Sequence, residues 1–366
     1  MSVNADAWDE RLYRSDRNAF DVVRLALATL VVFEHSYFLI DGTAERDPLS
    51  ILSGGQTNCG QFAVFMFFVL SGFLVTGSLL ESSSTREFIA KRVARIVPGF
   101  LVATMLACLI LGPLASPSTG QFFRSQNWRN IIIEALALKQ VGVTGILESN
   151  HLQLIHGTLW TIKYEFDCYL LLALLGALGL MRSSIRILTF AILATASAVA
   201  MAVGLPIVDH GIIALVISSP NRWPELFPFF FMGSAFFVFR KHIPKSIGIF
   251  VLSLLAIVTS LAGGAAYWAL LFGGTYAVLF AALSFSAQIK LFGRRVDLSY
   301  GVYLYGWPIQ QMILFYGGMQ LLPMELFAVS LFLSCLAAWA SWTIVERPSL
   351  QLVRKHRPLR SCSPAS

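Results

Sequence analysis

Long apolar stretches broken by short polar or basic segments run from Phe20 almost to the end of the 366-residue chain. A helix that crosses a bilayer needs roughly 20 mostly apolar residues. The pattern predicts ten, at 20–40, 60–80, 96–115, 159–180, 187–206, 225–239, 246–263, 265–288, 298–321 and 325–345. The sixth has a short uncharged core, 226–239. The seventh and eighth share an uncharged run, 247–289, too long for one helix, and Gly263-Gly264 is the natural turn between them. The longest connection runs from about Ser116 to Thr158. Within it Ile131–Leu138 is apolar but too short to cross, and is expected to lie at the interface or to re-enter. The pattern therefore predicts an all-α polytopic membrane protein with about ten transmembrane helices. A cytoplasmic N-terminal arm (1–19) precedes a single transmembrane domain (20–346), and a basic cytoplasmic tail (347–366) follows it. No soluble domain and no long internal repeat is expected.

Composition narrows this further. Hydrophobic residues make up 56% and charged residues 13%, with a mean hydropathy of +0.70. A soluble fold needs about a quarter of its residues charged, so that class is excluded, as are disorder and a disulfide scaffold. The net charge is +7, but the basic residues fall in short loops, which argues against a nucleic-acid partner and for a lipid bilayer. Twenty Lys and Arg lie on the side of the two termini and six on the other. By the positive-inside rule the N and C termini are cytoplasmic. The first stretch carries Arg24, Glu34 and His35 and lacks a small-residue cleavage site, so it stays as a helix and is not a signal peptide.

Ionisable residues inside a span cost free energy and are functional candidates. The first helix has four: Asp21, Arg24, Glu34 and His35. Arg24 and His35 are eleven residues apart, which returns to within about 20° of one face, roughly 16 Å along the axis. Asp21 is placed to pair with Arg24. The plainer reading makes Asp21 and Arg24 interfacial anchors and His35 a satisfied buried histidine; the alignment favours a functional one, with His35 suited to proton transfer. On the outer approach to the fourth span, Glu165 and Tyr169 share a helix face, and Glu165 is expected at the depth of His35, where it would orient the imidazole. Equally, Trp160, Tyr164 and Tyr169 could form an ordinary aromatic belt with Glu165 facing water. Arg92 and Arg95, three apart before Pro98, suit an anionic ligand, although any inner loop carries such charges. His151 and His156, in the long outer loop, are candidate contacts to an external substrate, as is Trp160. No Cys/His spacing suggests a metal, and the five cysteines are assigned no disulfide.

In order along the chain, these segments resemble the membrane-bound acyltransferase 3 family, which modifies bacterial surface polysaccharides, lipo-oligosaccharides and some antibiotics. Arg24 and His35, with ten residues between them, look like the family's first-helix signature. Phe67-Phe68-Val69-Leu70-Ser71-Gly72-Phe73-Leu74 is similar to its second-helix motif, and Arg92-Val93-Ala94-Arg95 to its basic inner loop. Leu159-Trp160-Thr161-Ile162 with Glu165, then Ser299-Tyr300-Gly301-Val302-Tyr303 and Glu346-Arg347-Pro348, complete the set. One departure stands out: many relatives have His-x-Pro where this chain reads Gly306-Trp307-Pro308. His35 is left as the only histidine within a span.

The resemblance implies an acyl-CoA-dependent O-acyltransferase of the bacterial inner membrane, with a bias to acetyl-CoA as co-substrate and a carbohydrate hydroxyl as acceptor, acting alone or beside polysaccharide assembly proteins. Arg24, Arg92 and Arg95 would hold the CoA phosphates, His35 would act as general base oriented by Glu165, and Tyr169 or a backbone N–H would stabilise the oxyanion. Two rival readings use the same residues: a transporter or flippase with an Arg24/His35/Glu165 relay, and a non-catalytic scaffold.

Overall fold

The computed structural model describes residues 8, 18–181, 186–205, 217–284, 290–291 and 294–355. Apart from Trp8, Asn18 and Ala19, the N-terminal arm lies outside the described residues, as do the tail beyond 355, Asp209, His210 and Cys362. The fold is helical: α1 (Phe20–Asp41), α2 (Pro48–Leu52), α3 (Cys59–Glu81), α4 (Thr85–Leu114), α5 (Thr119–Ser125), α6 (Trp128–Leu136), α7 (Trp160–Ala177), α8 (Arg186–Val203), α9 (Trp223–Phe239), α10 (Ile247–Gly263), α11 (Ala266–Ser284), α12 (Ser299–Gly317), α13 (Pro323–Ser341) and α14 (Arg347–Lys355). A two-residue antiparallel ladder pairs Lys290 with Arg295. Five described helices, α1, α3, α4, α11 and α13 with its continuation, are long and apolar enough to cross a membrane, and α10 is a shorter apolar helix.

Local chemistry sets the helix ends. Asn58, Ser84 and Ser246 cap α3, α4 and α10 by accepting a backbone N–H from the first turn. Gly42 and Gly264 end α1 and α10 in the left-handed conformation. The cap at Ser84 starts α4 well before Pro98, so Arg92 and Arg95 stand on the helix itself and not in a loop. Wide π-helical turns interrupt α4 at Ala107–Leu111 and α11 at Leu270–Gly274, and another, Trp342–Glu346, joins α13 to α14.

The bundle packs around α3, which is buried on most sides, whereas α13 leaves a wide apolar face open. That contrast is what lipid on one side and protein on the other produce. At the crossing of α3 with α9, a Cβ at Gly72 would fall 1.9 Å from the Phe230 carbonyl oxygen and one at Gly233 2.0 Å from that of Val69. Only glycine lets these two backbones touch. Beside the crossing, Phe65 and Phe229 stack at 4.1 Å.

One irregular stretch decides the layout of the site. From Asn150 to Leu159 the chain runs down alongside α12, buried at Ile155, His156 and Leu159. Its backbone polar groups are satisfied by α12 side chains: Gln311 Nε2 donates to the Leu152 and Leu154 carbonyls at 2.8 and 2.9 Å, and Trp307 Nε1 donates to Leu154 at 2.8 Å. Asn150 Nδ2 donates to Gln311 Oε1 at 2.7 Å, and the Tyr303 hydroxyl donates to the Thr158 carbonyl at 2.9 Å. Non-helical backbone is tolerated within a membrane bundle only when protein supplies such partners. The stretch expected to lie at the interface or to re-enter, 131–138, belongs largely to the short helix α6, whose Ile132 and Leu136 are exposed.

Candidate active site

Asn150 pairs with Gln311 and Thr158 with Tyr303, so the descending segment spans eight residue steps of α12, about 12 Å. Helix α7 consequently starts inside the bundle and not at its rim. Its first face carries Thr161, whose hydroxyl bonds that of Tyr303, and Glu165 comes one turn deeper. Ser71 of α3 and Tyr169 of α7 both donate to Glu165 Oε1. Ser71 thus departs from the habit of the other helix hydroxyls here: Thr29, Ser36, Thr275 and Ser334 all return their proton to the carbonyl four residues back.

These groups line a cavity of about 490 Å³. Its apolar wall includes Val64, Phe67, Phe68 and Ile162. Its polar wall combines Arg24, Lys91, Arg92 and Arg95 with the carboxylates of Glu165 and Asp297, and Leu350 and Val353 of α14 close one side. Four cations thus face two carboxylates. Asp297, in the loop before α12, is the hub. Its Oδ2 lies 2.6 Å from Arg95 Nη2 and 3.1 Å from Arg24 Nη1, and its Oδ1 accepts from the Ser299 hydroxyl at 2.6 Å. Burial alone would raise the Asp297 carboxyl, but the Arg95 and Arg24 guanidiniums outweigh it and hold the group well below the usual carboxylate range. Arg24 also reaches Asp21 at 3.5 Å, as its spacing predicts.

Arg92 is differently placed. It donates to Ser78 Oγ at 3.2 Å and lies over the rings of Phe88 and Tyr169, each 5.9 Å away. Among the described residues it forms no ion pair, and its Nε is buried without a partner. Lys91 is taken up by Glu87 at 2.8 Å.

The structure does not bring His35 and Glu165 together. The His35 ring meets Trp307 edge-on, 4.9 Å between centroids, and its Nε2 is 3.4 Å from Glu34 Oε2. The expectation of equal depth fails because α7 begins lower than its hydropathy suggests, which lowers Glu165 with it. Tyr303, on the cavity wall, and Trp307, against His35, are one turn apart on α12. The Tyr169 hydroxyl, expected as an oxyanion donor, is spent on Glu165. His156 is not a solvated loop residue: it is fully buried, with Nε2 3.2 Å from the Ala103 carbonyl oxygen. His151 is exposed. Trp160 lies outside the cavity lining, with Arg222 4.5 Å above its ring.

The motifs in the sequence include Ser71 and Tyr303 but gave them no role, and Asp297 went unnamed. Asp297 left a trace, being the lone acid between Arg294-Arg295 and an apolar helix. A buried Lys163–Asp167 pair at 3.0 Å was also unforeseen, Lys163 being one of the six Lys and Arg counted on the side away from the termini. Among the described residues no group of His, Cys, Asp and Glu is arranged to hold a metal ion. Cys59, Cys108, Cys168 and Cys335 are free thiols.

A family profile described as an acyltransferase domain matches residues 17–346. An O-acetyl transferase of Shigella phage Sf6 is 30% identical over 350 residues, 90% of this chain and 95% of the relative. Nodulation protein 10 of Rhizobium leguminosarum bv. viciae is 28% identical over 369 residues, covering 92% and 94%. Acyltransferase MdmB of Streptomyces mycarofaciens is 39% identical over 62 residues, 17% of this chain and 16% of the relative. No solved structure matches the chain.

Proposed function

The chain belongs to the acyltransferase 3 family, and from that premise we propose that it is an inner-membrane O-acyltransferase. It would move an acyl group, in the simplest case acetyl, from cytoplasmic acyl-CoA to a hydroxyl of a cell-surface or exported glycan. The reading takes ten spans with both termini cytoplasmic, as the loop charges argue. It treats residues 20–346 as one transmembrane domain between a short arm and a basic tail.

The observation that carries it is the cavity itself, a chamber whose polar wall sets four basic residues against two carboxylates and whose other wall is apolar. Acyl-CoA has the matching chemistry, with phosphates at one end of a thin neutral arm. Arg92 is the guanidinium best able to take a phosphate, forming no ion pair among the described residues. Arg24 and Arg95 would have to release Asp297 to do so. The pantetheine arm would then lie along Ile162, Phe67 and Thr161 towards Tyr303, bringing the thioester close to the turn of α12 that also carries Trp307. The charged nucleotide stays at the inner side, as the cost of burying it requires.

In this reading His35 accepts the proton of the acceptor hydroxyl while that oxygen attacks the thioester carbonyl. A C–O bond forms, the C–S bond breaks, and the thiolate leaves with the proton returned from the imidazole. Glu165, fixed by Ser71 and Tyr169, lies within the donor chamber and serves the donor, not the imidazole. Membranes containing the chain are given labelled acetyl-CoA and a surface glycan. Label appearing as a base-labile ester on the glycan supports the proposal, whereas glycan movement without labelling supports a transporter. Full transfer by His35→Ala, at matched amount in the membrane, would end the general-base assignment.

A further inference from the structure

Apart from the chamber, the most unusual polar grouping is at the outer end of α1, where a buried ionisable residue and a half-buried one stand side by side. Glu34 is 6% exposed, and no hydrogen bond reaches its carboxylate among the described residues. Its nearest partner is His35, Nε2 to Oε2 3.4 Å. A carboxylate buried like this is costly unless it is paired. The neighbouring helix accommodates it specifically: a Cβ at Gly60 would stand 2.7 Å from Glu34 Oε2 and 3.1 Å from its carboxyl carbon. The missing side chain at position 60 is the space that the Glu34 carboxylate occupies.

The ring is fixed from two sides, by Glu34 at Nε2 and by the Trp307 indole edge-on. Its Nδ1 is buried and has no hydrogen-bond partner. An unmet buried nitrogen is unfavourable in isolation, and an incoming hydroxyl would satisfy it. Resting on the reading of His35 as the base, we propose that Glu34, not Glu165, is the positioning residue for His35. It holds the ring by its Nε2 edge and stabilises the imidazolium formed when Nδ1 takes the acceptor's proton. Carboxylate–imidazole pairs act in this way in hydrolases. Catalytic contacts of this length commonly tighten once substrate is bound.

The other titratable groups on this end of the bundle are few. Asp47 precedes α2 and accepts from the Leu49, Ser50 and Cys59 backbone N–H groups, and Cys59 opens α3. Asp41, on α1 itself, is paired with Arg46 at 2.8 Å. From α12 come only Trp307 and the uncharged Gln310, and the Glu325 carboxylate of α13 accepts from its own helix start at the Leu322 N–H. His156 is linked to the same indole through Gly157.

The test is the pH profile of acyl transfer in Glu34→Gln, Glu34→Asp and Gly60→Ala membranes, with acyl-CoA binding measured alongside. Glu34→Gln is expected to lower kcat by about 10²–10⁴-fold, as loss of an orienting carboxylate does, and to leave acyl-CoA binding unchanged. The rising limb of the profile should move to lower pH by roughly one unit, because the imidazolium loses its counter-charge. Glu34→Asp should recover part of the rate, and Gly60→Ala, which crowds the carboxylate, should shift the limb in the same direction. Where Glu34→Gln accumulates poorly, the Gly60→Ala profile decides. An unshifted limb with wild-type kcat in either variant, while His35→Ala is inactive, overturns the role of Glu34 and leaves the base assignment standing. An active His35→Ala overturns both.

Discussion

Gly157 lies against the Trp307 indole so closely that a Cβ at position 157 would fall 2.4 Å from the ring, and the same indole meets His35 at 4.9 Å. The descending segment and the imidazole are therefore coupled through one aromatic plate. Gly157→Ala must displace that plate, because the obstacle is a rigid ring wedged between helices. The expected outcome is a fall of at least about tenfold in transfer rate with acyl-CoA binding unchanged, read by comparing turnover with donor titration. Loss of donor binding in parallel would show instead that the chamber had collapsed.

Asp297 is shared by two arginines, so removing it strands both. Asp297→Asn should destabilise the detergent-solubilised protein by on the order of 3 kcal/mol, the usual cost of breaking a buried ion pair. Thermal unfolding is the check, and a midpoint equal to wild type would show that Asp21 alone suffices for Arg24.

The same group sets an acid limit. Its folded-state carboxyl is held below the usual range, so its stabilising contribution is complete above the unfolded value, about pH 4. It is lost as the pH falls from there through the folded value. Wild-type protein should lose stability below about pH 4 more steeply than Asp297→Asn, as unfolding midpoints taken across an acid series will report.

Arg92 has no carboxylate partner among the described residues, whereas Lys91 beside it is paired with Glu87. Arg92→Ala should raise the KM for acyl-CoA by about 10–100-fold, the loss of one charged hydrogen bond, and Lys91→Ala by much less. Equal effects from the two would remove the case for Arg92 as the phosphate ligand. Arg92→Lys should rescue poorly, since a point charge does not reproduce the planar fork.

At the α3–α9 crossing neither backbone can yield. Gly72→Ala or Gly233→Ala should sharply reduce the amount of folded protein recovered from membranes, measured by monodisperse elution in detergent. Normal recovery would mean that the two helices can separate without loss of the bundle.

Much of the helical layout was legible from hydropathy, because an apolar run of bilayer length has few alternatives. Observed helices coincide with the expected runs to within a few residues at most positions, such as Phe20–Asp41 and Ile247–Gly263. The site was only half legible. Arg24, Arg92, Arg95, Glu165 and Tyr169 do line one cavity, but His35 stands apart from Glu165. The error lay in depth. Hydropathy reports where a run begins in sequence, whereas the start of α7 is set by how far residues 150–159 descend, and partners on a distant helix determine that. The visible clue was Gln310-Gln311, two amides in the middle of an apolar run. Gln311 and its neighbour Trp307 carry the descending backbone. Asp297 was obscured for a similar reason: a single acid in a basic loop gains meaning only when Arg24 and Arg95 arrive from other helices.

The π-helical turn at Ala107–Leu111 accommodates one residue more than the regular helix around it needs. Chain length is therefore locally negotiable there. Excising a single residue from that turn would restore ordinary winding and keep both flanks of α4 in phase, with Arg92 and Arg95 still facing the chamber. The same excision one turn after Arg95 would rotate everything beyond it by about 100° and set the outer half of the helix against the wrong neighbours.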